Sequence, residues 1–157
     1  MDIKIDLSDI KQLGDIAERL EQRAPLMSEI SHQMLDAIDE NFAQEGRPKW
    51  LGITHRDGKV LQDSGRLAAS MTPFSDNDTA AAGTNVIYAA IHHFGGQTKP
   101  HTIRPRYKKA LKFNGRFRKV VNHPGSKIPA RPIFVMTNND TDRIEQTTLT
   151  YIHTGQF

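Results

Sequence analysis

Cysteine is absent from the 157 residues. The chain therefore has no disulfide framework, no thiolate nucleophile and no cysteine metal site. Aromatic residues are scarce at 7%, with a single tryptophan, Trp50. Apolar residues reach only 37% and mean hydropathy is −0.56. That is lean for a self-sufficient globule, so much of the surface is expected to meet partners. The longest apolar run, Val86–Ile91, has six residues, far too short to cross a bilayer, and no membrane partner is expected. Met1, Asp2, Ile3 and Lys4 open the chain without an apolar stretch, so no signal peptide is read and synthesis in the cytosol is expected. A mass of 17.7 kDa is one domain's worth, and residues 1–157 are read as a single domain.

Negative charge is missing from one long stretch. Residues 79–139 hold eleven Lys/Arg and no Asp or Glu, whereas residues 1–78 carry a net charge of −6 and residues 140–157 a net of −2. The chain total is +3. Basic density peaks at Lys99, Arg104, Arg106, Lys108, Lys109, Lys112, Arg116, Arg118 and Lys119. Three physical readings compete: a face for nucleic acid, a face for the acidic half of a neighbouring copy, or a solvated loop.

Ile3, Ile5 and Leu7 alternate with polar residues and predict a short strand. Ser8 or Asp9 then caps a helix carrying Ile10, Leu13, Ala17 and Leu20 to about Arg23. Pro25 suits a first helical turn, and Leu26, Ile30, Met34, Leu35, Ile38 and Phe42 form the apolar stripe of a second helix ending near Ala43. Residues 46–64 read as a long loop, of the kind that docks on something or orders on assembly. Ser64 caps a short turn to Met71. Met71–Phe74 and Thr79–Thr84 pair as strands, and Val86–Phe94 forms a short helix stopped by Gly95 and Gly96. A long basic hairpin is expected at about 99–121, with His101–Arg106 against Ala110–Phe113 and Val120–Val121 extending it. Ile128–Pro132 is extended, and Asn138 or Asn139 caps a last helix with Ile144, Thr148 and Ile152 on one face. This order favours an α+β fold, an antiparallel sheet packed with two or three helices and a protruding basic hairpin.

The seven histidines offer the first enzymatic reading. His92 and His93 are adjacent, so on a helix they point about 100° apart and do not share one metal. No His-Glu-x-x-His or His-x-His pattern occurs, and the basic stretch supplies no acidic ligand or base. Ser64 and Ser126 lack the Gly-x-Ser-x-Gly elbow. Asp36, Asp39 and Glu40 read as a solvated helix face. No catalytic residue, metal or cofactor is therefore expected. Tyr107, Phe113 and Phe117 interleave with the cations, which suits phosphate contact with base stacking, or equally a hairpin with its aromatics turned to a core.

A set of local patterns then appears in one order: Gly46-Arg47-Pro48-Lys49-Trp50 with Thr54, Gly58-Lys59-Val60-Leu61, Ser64-Gly65-Arg66-Leu67 with Ser70, and Gly83-Thr84-Asn85. Tyr88-Ala89-Ala90-Ile91-His92, Phe94-Gly95-Gly96 and Ile128-Pro129-Ala130-Arg131-Pro132-Ile133-Phe134 follow. Together they resemble the phage virion morphogenesis, or tail-completion, family over about residues 25–153, and its members from Mu-like phages most of all. The resemblance implies a non-enzymatic structural protein, made in the host cytoplasm late in infection and acting in tail completion or head–tail joining within the virion. The charge split is read as a homo-oligomer, a ring, with neighbouring neck or tail proteins as partners and loose contact with packaged DNA. A DNA-binding or DNA-processing module using residues 99–119 is the alternative.

Within the patterns, Tyr88, Ile91 and Phe94 are read as core. Trp50 is either a loop-pinning core residue or an interface anchor. Arg131, held between two prolines, is either a structural ion pair or a subunit contact. Trp50, Arg66 and Arg131 are the candidate partner contacts, and the nine cations from Lys99 to Lys119 are the candidate interface or channel lining.

Overall fold

The computed structural model describes residues 7–54, 56–113 and 115–157. The expected strand at Ile3–Leu7 lies outside them, apart from Leu7, which opens a helix instead. Helix α1 is Leu7–Glu21 and α2 is Ala24–Ala43. Arg23 stands at the N-cap of α2 without a side-chain cap of its own. The cap comes from afar: Asn77 Oδ1 accepts from Arg23 N at 2.8 Å and Ala24 N at 3.2 Å, while Asn77 Nδ2 donates to Glu21 O at 3.0 Å. One asparagine thus satisfies the end of α1 and the start of α2. Pro25 occupies the first turn, where a missing N–H costs nothing.

Asn77 sits in the turn between β1 (Thr72–Ser75) and β2 (Ala80–Gly83), which pair antiparallel from Thr72↔Gly83 to Ser75↔Ala80. A 3₁₀ turn, Ala68–Ser70, precedes β1, and α3 (Ala89–Phe94) follows β2. The last helix, α4, is Asn138–Thr154. Its cap is Thr137, not Asn138 or Asn139: Asp140 N and the Thr137 hydroxyl face each other, and Asp140 Oδ2 accepts from Thr137 N at 2.7 Å. Thr137 and Asp140 form a capping box, and the asparagines lie inside the first turn. Helix α2 packs between the β1–β2 pair and α4, and α1 lies on α4.

Ile38 and Phe42 of α2 meet Trp50, Val60, Leu67, Met71, Ala89 and Ile133 in one buried cluster. Five of these eight, Trp50, Val60, Leu67, Met71 and Ile133, come from segments outside helices and strands. The long loop docks on its own chain rather than awaiting a partner. Trp50 and Val60 enter the core, Val60 N donates to Glu45 Oε2 at 3.0 Å, and Gln62 Nε2 donates to Phe42 O at 2.7 Å. Gly46 makes this possible. Its φ is +101°, and a Cβ there would meet the Trp50 ring at 2.5 Å.

Among the described residues the expected antiparallel sheet is realised as four separate two-stranded ladders. Three of them nest within residues 96–128. Strand β3 (Gly96–Gln97) pairs with β8 (Lys127–Ile128), β4 (His101–Ile103) with β7 (Val121–His123), and β5 (Leu111–Phe113) with β6 (Arg116–Arg118). The expected pairing of 101–106 with 110–113 is therefore corrected. Pro105 has no N–H to continue a ladder beyond Arg104. The Asn114-Gly115 dipeptide, a strong hairpin signal, connects β5 to β6 instead, with Gly115 at φ +75°.

Candidate functional site

The most distinctive sequence patterns converge on one extended segment, residues 130–135. From the α3 side, His92 O accepts from Arg131 N at 2.8 Å, and His93 Nδ1 accepts from Ile133 N at 3.0 Å and Phe134 N at 3.3 Å. Gly95, at φ +71° and ψ 178°, lies so close that a Cβ would meet Ala130 N at 2.7 Å. Only glycine holds that conformation without strain. From the long loop, Trp50 Nε1 donates to Pro132 O at 2.9 Å, and Arg131 Nε donates to Leu51 O at 2.9 Å. From α2, the fully buried Asn41 Nδ2 donates to Ile133 O and Val135 O, both at 2.8 Å. Residues 130–135 belong to no ladder, so their backbone groups need other partners, and these groups supply them.

Arg47 locks the same region. Its guanidinium reaches Asn41 Oδ1 at 2.9 Å, Ala37 O at 2.8 Å and the buried Asp140 carboxylate at 3.0 Å. Burial pushes the Asp140 pKa up, but hydrogen bonds from Thr137 and Arg47 and the Arg47 charge bring it below the usual carboxylate value. Sequence reading missed Asn41, Arg47 and His93 as partners of residues 130–135. The signal for Asn41 was present: a polar residue inside the apolar stripe between Ile38 and Phe42.

Three expectations change. Trp50 is 5% exposed, edge-on to Phe42 with centroids 5.6 Å apart, so its ring has no face for a partner. Arg131 is 7% exposed and donates to the Leu51 and Gly52 carbonyls rather than to a carboxylate. Tyr88 and Phe94 are exposed, and Ala89 is the residue that α3 buries. A spacing of i, i+3, i+6 drifts around so short a helix, and its small residue fits the close approach. Arg66 is exposed on the turn after Ser64, as an available contact must be.

Beside residue 131 opens a cleft of about 410 Å³ lined by Arg56, Asp63, Ser64, Tyr88, His92 and Arg131. His92 Nδ1 is buried, and among the described residues it has no hydrogen-bond partner. Burial and the nearby Arg131 charge hold His92 below its ordinary pKa, so the ring is neutral near pH 7. Ser64 Oγ, on the same cleft, accepts from Arg66 N at 3.4 Å. Among the described residues there is no group of three His, Asp or Glu placed to hold a metal, and no helix is long and apolar enough to cross a membrane.

The nine cations from Lys99 to Lys119 are all exposed, and among the described residues none of them makes an ion pair. Two aromatics stand out with them, Tyr107 at 88% exposure and Phe117 at 76%. Arg106 lies over the Tyr107 ring at 5.4 Å, and Lys112 is paired across the ladder with Phe117. His101 and His123 stack across β4 and β7 at 5.2 Å. This surface can take phosphates or carboxylates and can cover an apolar strip.

The phage virion morphogenesis family matches residues 5–153, and the chain belongs to that family. Its class is thus the structural and assembly proteins of phage virions. Among particular proteins, it is 37% identical over 142 residues to the Mu-like prophage FluMu G protein 2 of Haemophilus influenzae, covering 88% of this chain and 87% of that one. No solved structure matches the chain significantly.

Proposed function

We propose that this protein is a non-catalytic assembly component acting in tail completion or head–tail joining, working as a homo-oligomer, with neighbouring neck or tail proteins as its other partners. It is made in the host cytoplasm and stays with the virion. The observation that carries the reading is where the family's patterns fall. Gly46, Arg47 and Trp50 of the first pattern, His92, His93 and Gly95 of the second, and Arg131, Pro132 and Ile133 of the third meet in one packing joint, while the exposed surface carries a large charge that no ion pair among the described residues compensates. Such a chain presents a rigid scaffold and leaves recognition to charged faces.

The test is a phage carrying a nonsense codon in this gene, grown in a non-suppressing host. Electron microscopy of the lysate should show filled heads and separate tails, with few joined particles. Complete, infectious particles at normal yield would refute the assembly role. Normal particle parts that fail only in DNA delivery would favour the DNA-handling alternative.

A further inference from the structure

Helix α1 is held by its polar side. Arg19 Nη1 donates to Ile152 O at 2.8 Å and His153 O at 2.9 Å, gripping the C-terminal carbonyls of α4. Its apolar strip faces elsewhere. Ile10, Leu13, Ala17 and Leu20 recur at helical spacing, and the large ones stand open at 53%, 67% and 44% exposure. Glu18 and Glu21 are exposed beside that strip. An amphipathic helix normally buries such a strip, because solvating it opposes folding. Among the described residues α1 packs on α4, while β4 pairs with β7 and β5 with β6, so the helix strip and the basic segment do not cover each other within one chain.

The two surfaces are complements. One offers aliphatic side chains edged by carboxylates, and the other offers Tyr107 and Phe117 among cations that make no ion pair among the described residues. We propose that the Lys99–Lys119 segment of one copy lies across the open face of α1 in the next copy. Tyr107 and Phe117 cover Leu13 and Leu20, and Lys108 and Lys112 face Glu18 and Glu21. A nucleic acid would neutralise the cations but leave the α1 strip wet, whereas a second copy satisfies both surfaces at once. Because the two surfaces differ, the contact is head-to-tail, and repetition closes it into a ring or extends it as a filament. This rests on the homo-oligomer part of the proposed function.

The test is a charge swap read by sedimentation velocity on the full chain, with circular dichroism confirming the fold. One variant carries Glu18→Lys and Glu21→Lys, a second carries Lys108→Glu and Lys112→Glu, and a third carries all four changes. Wild type should assemble at about 100 μM. Each double variant should weaken association by about tenfold or more at low salt, and less at high salt. The fourfold variant should regain assembly, since its charges are again opposite. If wild type assembles and the double variants match it, or the fourfold variant is no better than they are, the proposal fails and the oligomer reading stands. A wild type that stays monomeric overturns both. A duplex probe of about 30 base pairs, bound tightly and lost in the Lys108→Glu, Lys112→Glu variant while assembly is unchanged, makes the segment a nucleic-acid surface and overturns the proposal.

Discussion

Replacing Trp50 by alanine separates a core role from an interface role. The ring is 5% exposed, packs edge-on to Phe42, and sits in the cluster with Ile38, Val60, Leu67 and Ile133. Truncating a buried aromatic residue to alanine costs about 3–5 kcal/mol through lost transfer energy and the cavity left behind. The change also removes the donor to Pro132 O, which is worth about 1 kcal/mol if water reaches the carbonyl and more if it does not. A single domain has roughly 5–15 kcal/mol in all, so Trp50→Ala should remove about a quarter of it or more. At about 2–4 °C per kcal/mol for a chain of this size, the melting temperature should fall by at least 8–10 °C. Trp50→Phe keeps most of the ring and loses the hydrogen bond, so its loss should be smaller. Because Trp50 is the only fluorescent indole, far-ultraviolet circular dichroism is the readout for the variants. In the wild type, Trp50 emission should be blue-shifted and should move red on unfolding. Stability of Trp50→Ala within about 1 kcal/mol of wild type, with particle assembly lost, would refute the argument. The ring would then have to face a partner.

Asn41→Leu leaves two backbone carbonyls of the 130–135 segment without their Asn41 donor and removes one of the acceptors of Arg47; urea denaturation should show a loss of about 2–4 kcal/mol, and a loss under 1 would mean the segment finds other partners. Gly95→Ala places a methyl against Ala130 N in a conformation nearly restricted to glycine, and should cost at least 2 kcal/mol or abolish soluble expression; wild-type melting would contradict it. His92 and His93 are both held below the ordinary value of 6.5 by burial, and His93 Nδ1 accepts two backbone N–H groups. The unfolded chain therefore binds more protons, so stability contributed by these residues is complete above pH 6.5 and is lost as pH falls below it. Melting curves between pH 7.5 and about 5 should show the decline, and His93→Phe should be less stable at pH 7.5 with a shallower slope.

Much of the fold was legible because its signals are local. The stripe from Leu26 to Phe42 with Pro25 at its head specifies α2 to within a residue, and the Ser75–Asp78 turn specifies the β1–β2 pair. What was not legible depends on residues meeting from far apart. The cap of α2 is an asparagine more than fifty positions away, which no local rule reaches. Trp50 could be read two ways because a tryptophan in a polar loop looks the same whether the loop wraps its own core or a neighbour's. Leu7 and the four separate ladders show the other limit. Short alternating runs do not fix a partner, and ladders of two to four residues are decided by single residues such as Gly115, at positive φ, and Pro105, which lacks an N–H.

The spatial division between the joint and the charged surfaces has a consequence for genetics. A substitution at Asn41, Trp50, Gly95 or Arg131 removes contacts around residues 130–135 and acts through folding, so it lowers the amount of competent protein at every salt concentration. A substitution at one of the nine cations from Lys99 to Lys119, or at Glu18 and Glu21, touches residues that are exposed and, among the described residues, make no ion pair within the chain. Its effect on the free protein should be within about 0.5 kcal/mol, and its effect on assembly should depend on ionic strength. Both classes should reduce phage yield if the proposed assembly role holds. Melting temperature moves only with the first, and salt sensitivity of association only with the second, so the two measurements together assign any new variant to folding or to recognition without knowledge of its neighbours in the particle.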